Sequence, residues 1–184
     1  RGLSHHKDAA MLDTLREVLG PWYLYIKTLH LLAVMAWVWS TSVAYAFYLV
    51  PIFKAWRRNP LDREIVRARN WAIERFDEGA TYEHIAFPII LVTGPLLYLA
   101  GGWSSSVGWL VLKLLIVFGI FLPIELMDYY LSHGPGNKGK LREAGNGEGY
   151  EIAIHRHWWF LLVSSPIVMV FAFAIVILAV LRPI

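Results

Sequence analysis

The stretch WWFLLVSSPIVMVFAFAIVILAVL, residues 158–181, runs for 24 residues without a charge. An α-helix needs about 20 apolar residues to cross the hydrocarbon core of a bilayer. This segment therefore predicts a transmembrane helix, and its lack of a polar face argues against a helix packed on a soluble core. TLHLLAVMAWVWSTSVAYAFYLVPIF, residues 28–53, is uncharged over 26 residues, and residues 85–112 are uncharged over 28. The latter run contains Gly101, Gly102, Ser104, Ser105, Ser106 and Gly108, a turn signature that divides it between two helices. The fold class read from these runs is all-α, an integral membrane four-helix bundle surrounded by lipid. Spans are expected at about 22–53, 82–100, 107–131 and 157–181, following a polar segment at 1–21.

The composition agrees: 57% of the 184 residues are hydrophobic and only 17% are charged. Cysteine is absent, which excludes disulfide scaffolds, zinc–thiolate sites, iron–sulfur clusters and catalytic thiols. Histidine is then the one soft ligand type present in number. No basic stripe interleaved with aromatics stands clear of the spans, so nucleic acid is not an expected partner. The net charge of +3 fits basic loops facing anionic lipid.

The polar segment holds a short amphipathic helix at 11–19 that stops at Gly20-Pro21, and residues 1–20 lack the apolar region of a signal peptide. The first connector, 54–81, carries seven basic residues against five acids. Pro60 suits the first turn of a helix, and Leu61, Ile65, Ala68, Ala72 and Phe76 fall on one stripe. That pattern suits an amphipathic helix lying on the membrane surface, or equally a solvated helix packed on its own loops. The second connector has six glycines between Gly134 and Gly149 and reads as a mobile loop. Lysine and arginine number eleven in the two connectors and five on the opposite, terminal side, so the positive-inside rule puts the connectors in the cytoplasm and both termini outside.

Ionisable side chains within spans are costly and are functional candidates by default. His30 lies in the first span and Lys113 near the start of the third, in the leaflet nearer the termini, where they can face one cavity. The plainer readings are an interfacial histidine and a snorkelling lysine. At the other end, His84 opens the second span, His133 closes the third, and His155 and His157 precede the fourth. Haem b needs one or two imidazoles and surface cations for its propionates. His84 with His157 or His155 suits the first requirement, and Arg156 or Arg75 the second. His30, His84 and His157 are also the candidate metal ligands for copper or zinc, which is the less favoured cofactor. Glu125 and Asp128 sit on one helical face, suited to a proton path or to pairing with Arg156. Pro88, Pro95 and Pro166 free carbonyls that Ser164 or Ser165 can address. Trp37 and Trp39 are deep enough to line a porphyrin or quinone pocket, and His5 and His6 sit in the polar tail.

Three segments carry a family likeness: Tyr25-Ile26-Lys27-Thr28-Leu29-His30, Trp109-Leu110-Val111-Leu112-Lys113-Leu114-Leu115, and Ala174 through Ile184. Together they resemble the small bacterial membrane protoporphyrinogen oxidases of the HemJ type and their relatives, among them the membrane part of CopD-like copper resistance proteins. The resemblance implies a haem b site in a bacterial inner membrane, with His30 and Lys113 as the functional pair. It covers the four spans but neither long connector. In span four the oxidases carry an Asn-Glu pair shortly before a proline, where this chain has Val163-Ser164-Ser165-Pro166.

Three functions follow as expectations. The first is a haem b redox protein passing electrons to or from a quinone, a tetrapyrrole or a partner subunit. The second is protoporphyrinogen oxidation, with His30 removing a proton and Lys113 orienting substrate carboxylates. The third is a non-catalytic accessory subunit whose spans pack in a homo-oligomer or a larger complex.

Overall fold

A computed structural model describes residues 2–102 and 108–181, with side chains from residue 11 onward, and every regular element among them is helical. Helix α1 (Gly2–Leu19) leads through a 3₁₀ turn (Gly20–Trp22) into α2 (Tyr23–Ala44), and a π turn (Tyr45–Leu49) joins α2 to α3 (Val50–Arg58). After a short turn comes α4 (Arg63–Ala100). Then follow α5 (Gly108–Ile116), a second π turn (Val117–Phe121), α6 (Leu122–His133), the short α7 (Lys138–Glu143) and α8 (Gly147–Leu181). Four helical stretches, Met11–Arg58, Arg63–Ala100, Gly108–Glu143 and Gly147–Leu181, are long and apolar enough to cross a membrane. The ends near residues 58–63 and 134–147 are called the connector end below, and the opposite ends the terminal end. The serines at 104, 105 and 106, and the side chains of His5 and His6, lie outside the described residues.

Exposure is inverted relative to a water-soluble bundle. Leu31, Leu32, Met35, Trp39, Val163, Met169, Val170 and Phe173 are all more than half exposed. Contiguous apolar surface of this kind is stable against lipid and not against water.

The first connector differs from the separate surface helix suggested by its charge pattern. Its residues form the first half of α4, which runs unbroken for 38 residues, about 57 Å at 1.5 Å per residue. No proline lies between Arg63 and Phe87, and the one glycine there, Gly79, is tolerated within the helix. Asp62 rather than Pro60 starts it, its carboxylate accepting from the amides of Glu64 at 2.9 Å and Ile65 at 3.2 Å. The buried stripe is also turned relative to the expected one. It holds Arg69, Ala72, Ile73, Phe76, Asp77 and Ala80, while Leu61 is 93% exposed. The second connector is likewise structured: α7 starts at Asn137, whose side chain accepts from the Lys140 amide at 2.9 Å.

Both π turns precede a proline, Pro51 and Pro123. A helical proline clashes with the carbonyl four residues earlier, here at Phe47 and Gly119, and a wider turn relieves that clash. Pro88 and Pro95 in α4 and Pro166 in α8 sit within continuous helices.

The core has two apolar clusters with a polar layer between them. At the connector end, Leu49, Phe53, Ile73, Phe76, Ile154 and Trp158 pack together, with Phe53 stacked on Trp158 at 4.1 Å between ring centroids. Toward the terminal end Trp37, Phe87, Trp109, Ile116, Phe121 and Leu178 form the second cluster. Along α4 the layer between them is marked by Asp77, Glu83 and His84.

Candidate functional site

A cavity of about 510 Å³ opens between α2, α4, α5 and α8 in the terminal half of the bundle, a size typical of small-molecule sites. Its walls are apolar, among them Val34, Phe87, Ile90, Pro95, Leu114 and Phe121, and His30 and Lys113 both line it. The structure thus brings together the two ionisable residues that the sequence placed in this leaflet. Lys113 Nζ also lies 5.6 Å from the centre of the Trp109 ring, within cation–π range.

The His30 imidazole is held in one orientation. Its Nδ1 is 2.8 Å from Thr93 Oγ1, and that hydroxyl is in turn 2.6 Å from the Ile89 carbonyl. A hydroxyl has one proton, which the carbonyl takes, so His30 Nδ1–H donates to Thr93 and Nε2 keeps the lone pair. An imidazole fixed in this tautomer is a proton acceptor or a metal ligand. Gly94 packs beside the ring, where a Cβ would be in ordinary van der Waals contact with His30 Cε1 at 3.8 Å.

Trp37 forms part of the cavity wall and links it to the polar layer. Its ring packs on Phe87 and Phe121 with centroids 5.7 and 5.0 Å apart, and Nε1–H donates to Glu125 Oε1 at 2.5 Å. Glu83 stands beside Glu125 and accepts a hydrogen bond from Thr41 Oγ1. Trp39, in contrast, is 71% exposed and faces away.

Beyond Glu125 the layer becomes a continuous chain of buried ionisable groups. Asp128 Oδ1 is 3.0 Å from His157 Nε2, and Asp128 Oδ2 is 3.3 Å from His84 Nε2. His84 Nδ1 is 3.1 Å from His133 Nε2. Lys138 donates to Asp77 Oδ1 at 2.8 Å, to the Leu131 carbonyl at 3.2 Å and to His157 Nδ1. Lys138 and His157 are wholly buried, and Asp77, Glu125 and Asp128 are at most 5% exposed. Removing this many ionisable groups from water is costly unless they pair, and here most of their polar atoms do, while Asp77 Oδ2, His84 Nε2 and Glu125 Oε2 have no hydrogen-bond partner.

The sequence-expected residues therefore separate into two places. His30 and Lys113 share the cavity, whereas His84 and His157 meet on Asp128, nine residues back along α4 from the Thr93 that holds His30, about 13 Å of helix rise. His30 is not brought together with His84 and His157, and among the described residues no group of three or more His, Asp or Glu side chains is placed to hold a metal ion. His155 is exposed and packs edge-on against Trp56 at 5.1 Å. Arg156 is exposed, and Asp128 pairs with the two histidines in its place.

Tested against a porphyrin, the two places differ. Both nitrogens of His157 and Nδ1 of His84 are taken up by Lys138, Asp128 and His133, His84 Nε2 faces Asp128 at 3.3 Å, and neither ring lines the 510 Å³ cavity. The His30 cavity supplies an imidazole lone pair, aromatic and aliphatic walls and a cation suited to a propionate, and these residues fit the group.

Sequence reasoning missed Asp77, Glu83 and Lys138 as site residues. Asp77 shares a helical face with Ile73, Phe76 and Ala80, a register signal that its charge concealed, and Glu83 adjoins His84. Comparison with protein-family models, curated proteins and solved structures finds no match for the chain.

Proposed function

We propose that this membrane protein binds a carboxylate-bearing tetrapyrrole, haem b in the first instance, in the His30–Lys113 cavity, and carries out redox chemistry there in the manner of HemJ-like proteins. The observation that carries this reading is that a tautomer-fixed imidazole and a lysine line one otherwise apolar cavity of about 510 Å³. His30 Nε2 is the group that holds the iron or, for a metal-free porphyrinogen, takes a proton. Lys113 anchors a carboxylate as a compact cation. The apolar walls exclude water, and Trp37 and Phe121 offer ring faces to a flat macrocycle. When bound, haem supplies one-electron chemistry, with its potential set by ligand and burial.

Electron transfer to a quinone or a partner subunit is the primary reading, in a bacterial inner membrane with the connector end in the cytoplasm. Protoporphyrinogen oxidation is the second reading, favoured by His30 being a lone-pair acceptor next to a lysine. The test is a reduced-minus-oxidised spectrum, with pyridine haemochrome quantification, on protein purified from its membrane. A b-type band lost in His30→Ala supports the proposal. Absence of a Soret band in the wild type refutes the haem reading, and failure to restore porphyrin oxidation in a deficient strain refutes the second.

A further inference from the structure

The buried ionisable groups follow one another from the connector end toward Trp37, and the two breaks in their hydrogen bonding, at His84 Nε2 and Glu125 Oε2, are a feature that a merely adhesive polar layer does not explain. Lys138 donates to His157 Nδ1, so His157 carries its proton on Nε2 and donates to Asp128 Oδ1. On the other side His133 Nε2 is 3.1 Å from His84 Nδ1, and His84 Nε2 lies 3.3 Å from Asp128 Oδ2 without a hydrogen bond; with a proton on His133 Nε2 and on His84 Nε2, each nitrogen faces a group that can accept it. Ser132 Oγ also reaches Asp128 Oδ2, at 3.3 Å. One turn earlier on the same helix face, Glu125 keeps Oε2 without a hydrogen bond although the side chain is buried, with Glu83 alongside it and Trp37 on its other oxygen. His133 is only partly covered and stands at the connector end.

We propose that these side chains form a proton conduit from the connector end, entering at His133 and passing through His84 and Asp128 to the Glu125–Glu83 pair, which Trp37 joins to the wall of the His30 cavity. Each step moves one proton and no electrons. His133 takes a proton on Nδ1 and releases the one on Nε2 to His84 Nδ1, His84 releases Nε2–H to Asp128, and Asp128 passes a proton to Glu125 Oε2. The rings reset by exchanging tautomers. His157, held by Lys138, is the second donor on Asp128 and keeps that carboxylate in place between transfers. Among the described residues, the ionisable groups around Asp128 and Glu125 are His84, Glu83 and Asp77 from α4, His133 from α6, Lys138 from α7 and His157 from α8, with Thr41 and Trp37 of α2 donating to Glu83 and Glu125. The destination rests on the proposed reaction site. The conduit itself needs no bound tetrapyrrole, and neither does its test.

That test is infrared spectroscopy of the full chain in vesicles of uniform orientation, following the carboxylic C=O stretch of protonated Glu125, which is assigned by its loss in Glu125→Gln. A pH jump applied only on the connector side is expected to change this band promptly in the wild type. In Asp128→Asn the change should slow by an order of magnitude or more. His133→Gln, at a half-covered position and unable to relay a proton, should slow it similarly if Asp128→Asn fails to fold. An unchanged rate in the folded variants, a band that answers only to pH on the terminal side, or no Glu125 band at any pH overturns the conduit. A chain that binds no tetrapyrrole but passes this test refutes the functional proposal alone.

Discussion

Replacing Lys138 with methionine keeps the length and most of the volume of the side chain but removes its charge and all three hydrogen bonds, to Asp77, the Leu131 carbonyl and His157. Asp77 Oδ2 already lacks a partner, so the variant leaves a carboxylate, 5% exposed in its side chain, with only the His157 ring 3.3 Å away. If His157 turned its proton to Nδ1 to serve Asp77, it would abandon Asp128. Breaking one side of a buried ion pair costs about 3–5 kcal/mol. At about 2–4 °C per kcal/mol for a chain of this size, the melting temperature should fall by about 10 °C. Asp77→Leu alone should cost a similar amount. The double variant Lys138→Met/Asp77→Leu should cost much less than the sum, because an apolar pair can replace a buried ion pair at little loss. What remains is the unpaired His157 Nδ1, about 1–3 kcal/mol. Thermal melts of the four proteins in one detergent, read by tryptophan fluorescence, give the coupling directly. Additive losses, or single variants within about 0.5 kcal/mol of wild type, would refute the claim that Lys138 is a structural member of the layer and not a loop charge.

Two further outcomes follow from local geometry. A Cβ on Gly134 would lie 2.5 Å from the Tyr130 carbonyl oxygen, so Gly134→Ala should destabilise by about 1–3 kcal/mol, as overpacking does. Because this turn returns the chain toward Asp77, the same variant should speed tryptic cleavage at Lys138 and Lys140, and unchanged proteolysis would contradict it. Trp37→Phe keeps an aromatic wall but strands Glu125 Oε1, at a cost of about 1–3 kcal/mol in the same melts. Restoration in the double variant Trp37→Phe/Glu125→Leu would identify the lost hydrogen bond as the cause.

The spans were legible because hydrocarbon imposes a strong and simple pattern, as in residues 158–181, and because the glycines at 101, 102 and 108 mark where one uncharged run becomes two helices. The cavity pair was legible too, since His30 and Lys113 were placed in one leaflet and do line one space. The polar layer was only half visible. The stripe expected on the connector helix, Leu61, Ile65, Ala68, Ala72 and Phe76, contained no charge, yet Arg69 is buried against Trp56 and Glu151, and Asp77 against Lys138. Lys138 looked like one more basic loop residue because its partner lies 61 residues away, a distance no local pattern spans. His84 and His157 were correctly placed at one end, on facing helices. What brings them together is Asp128, for which the sequence offered a proton path or pairing with Arg156.

The account stands on the His30–Lys113 cavity as the tetrapyrrole site, and the most direct measurement is a binding titration of haemin against detergent-solubilised protein freed of endogenous pigment. It should saturate at one haemin per chain, weaken tenfold or more in His30→Ala (about 1.4 kcal/mol), and keep wild-type affinity in His84→Gln if that variant is folded. Lys113→Ala should weaken binding of haemin but not of its dimethyl ester, because the lysine's contribution requires a free propionate. Binding that is indifferent to both His30 and Lys113, or abolished in folded His84→Gln, would contradict the account.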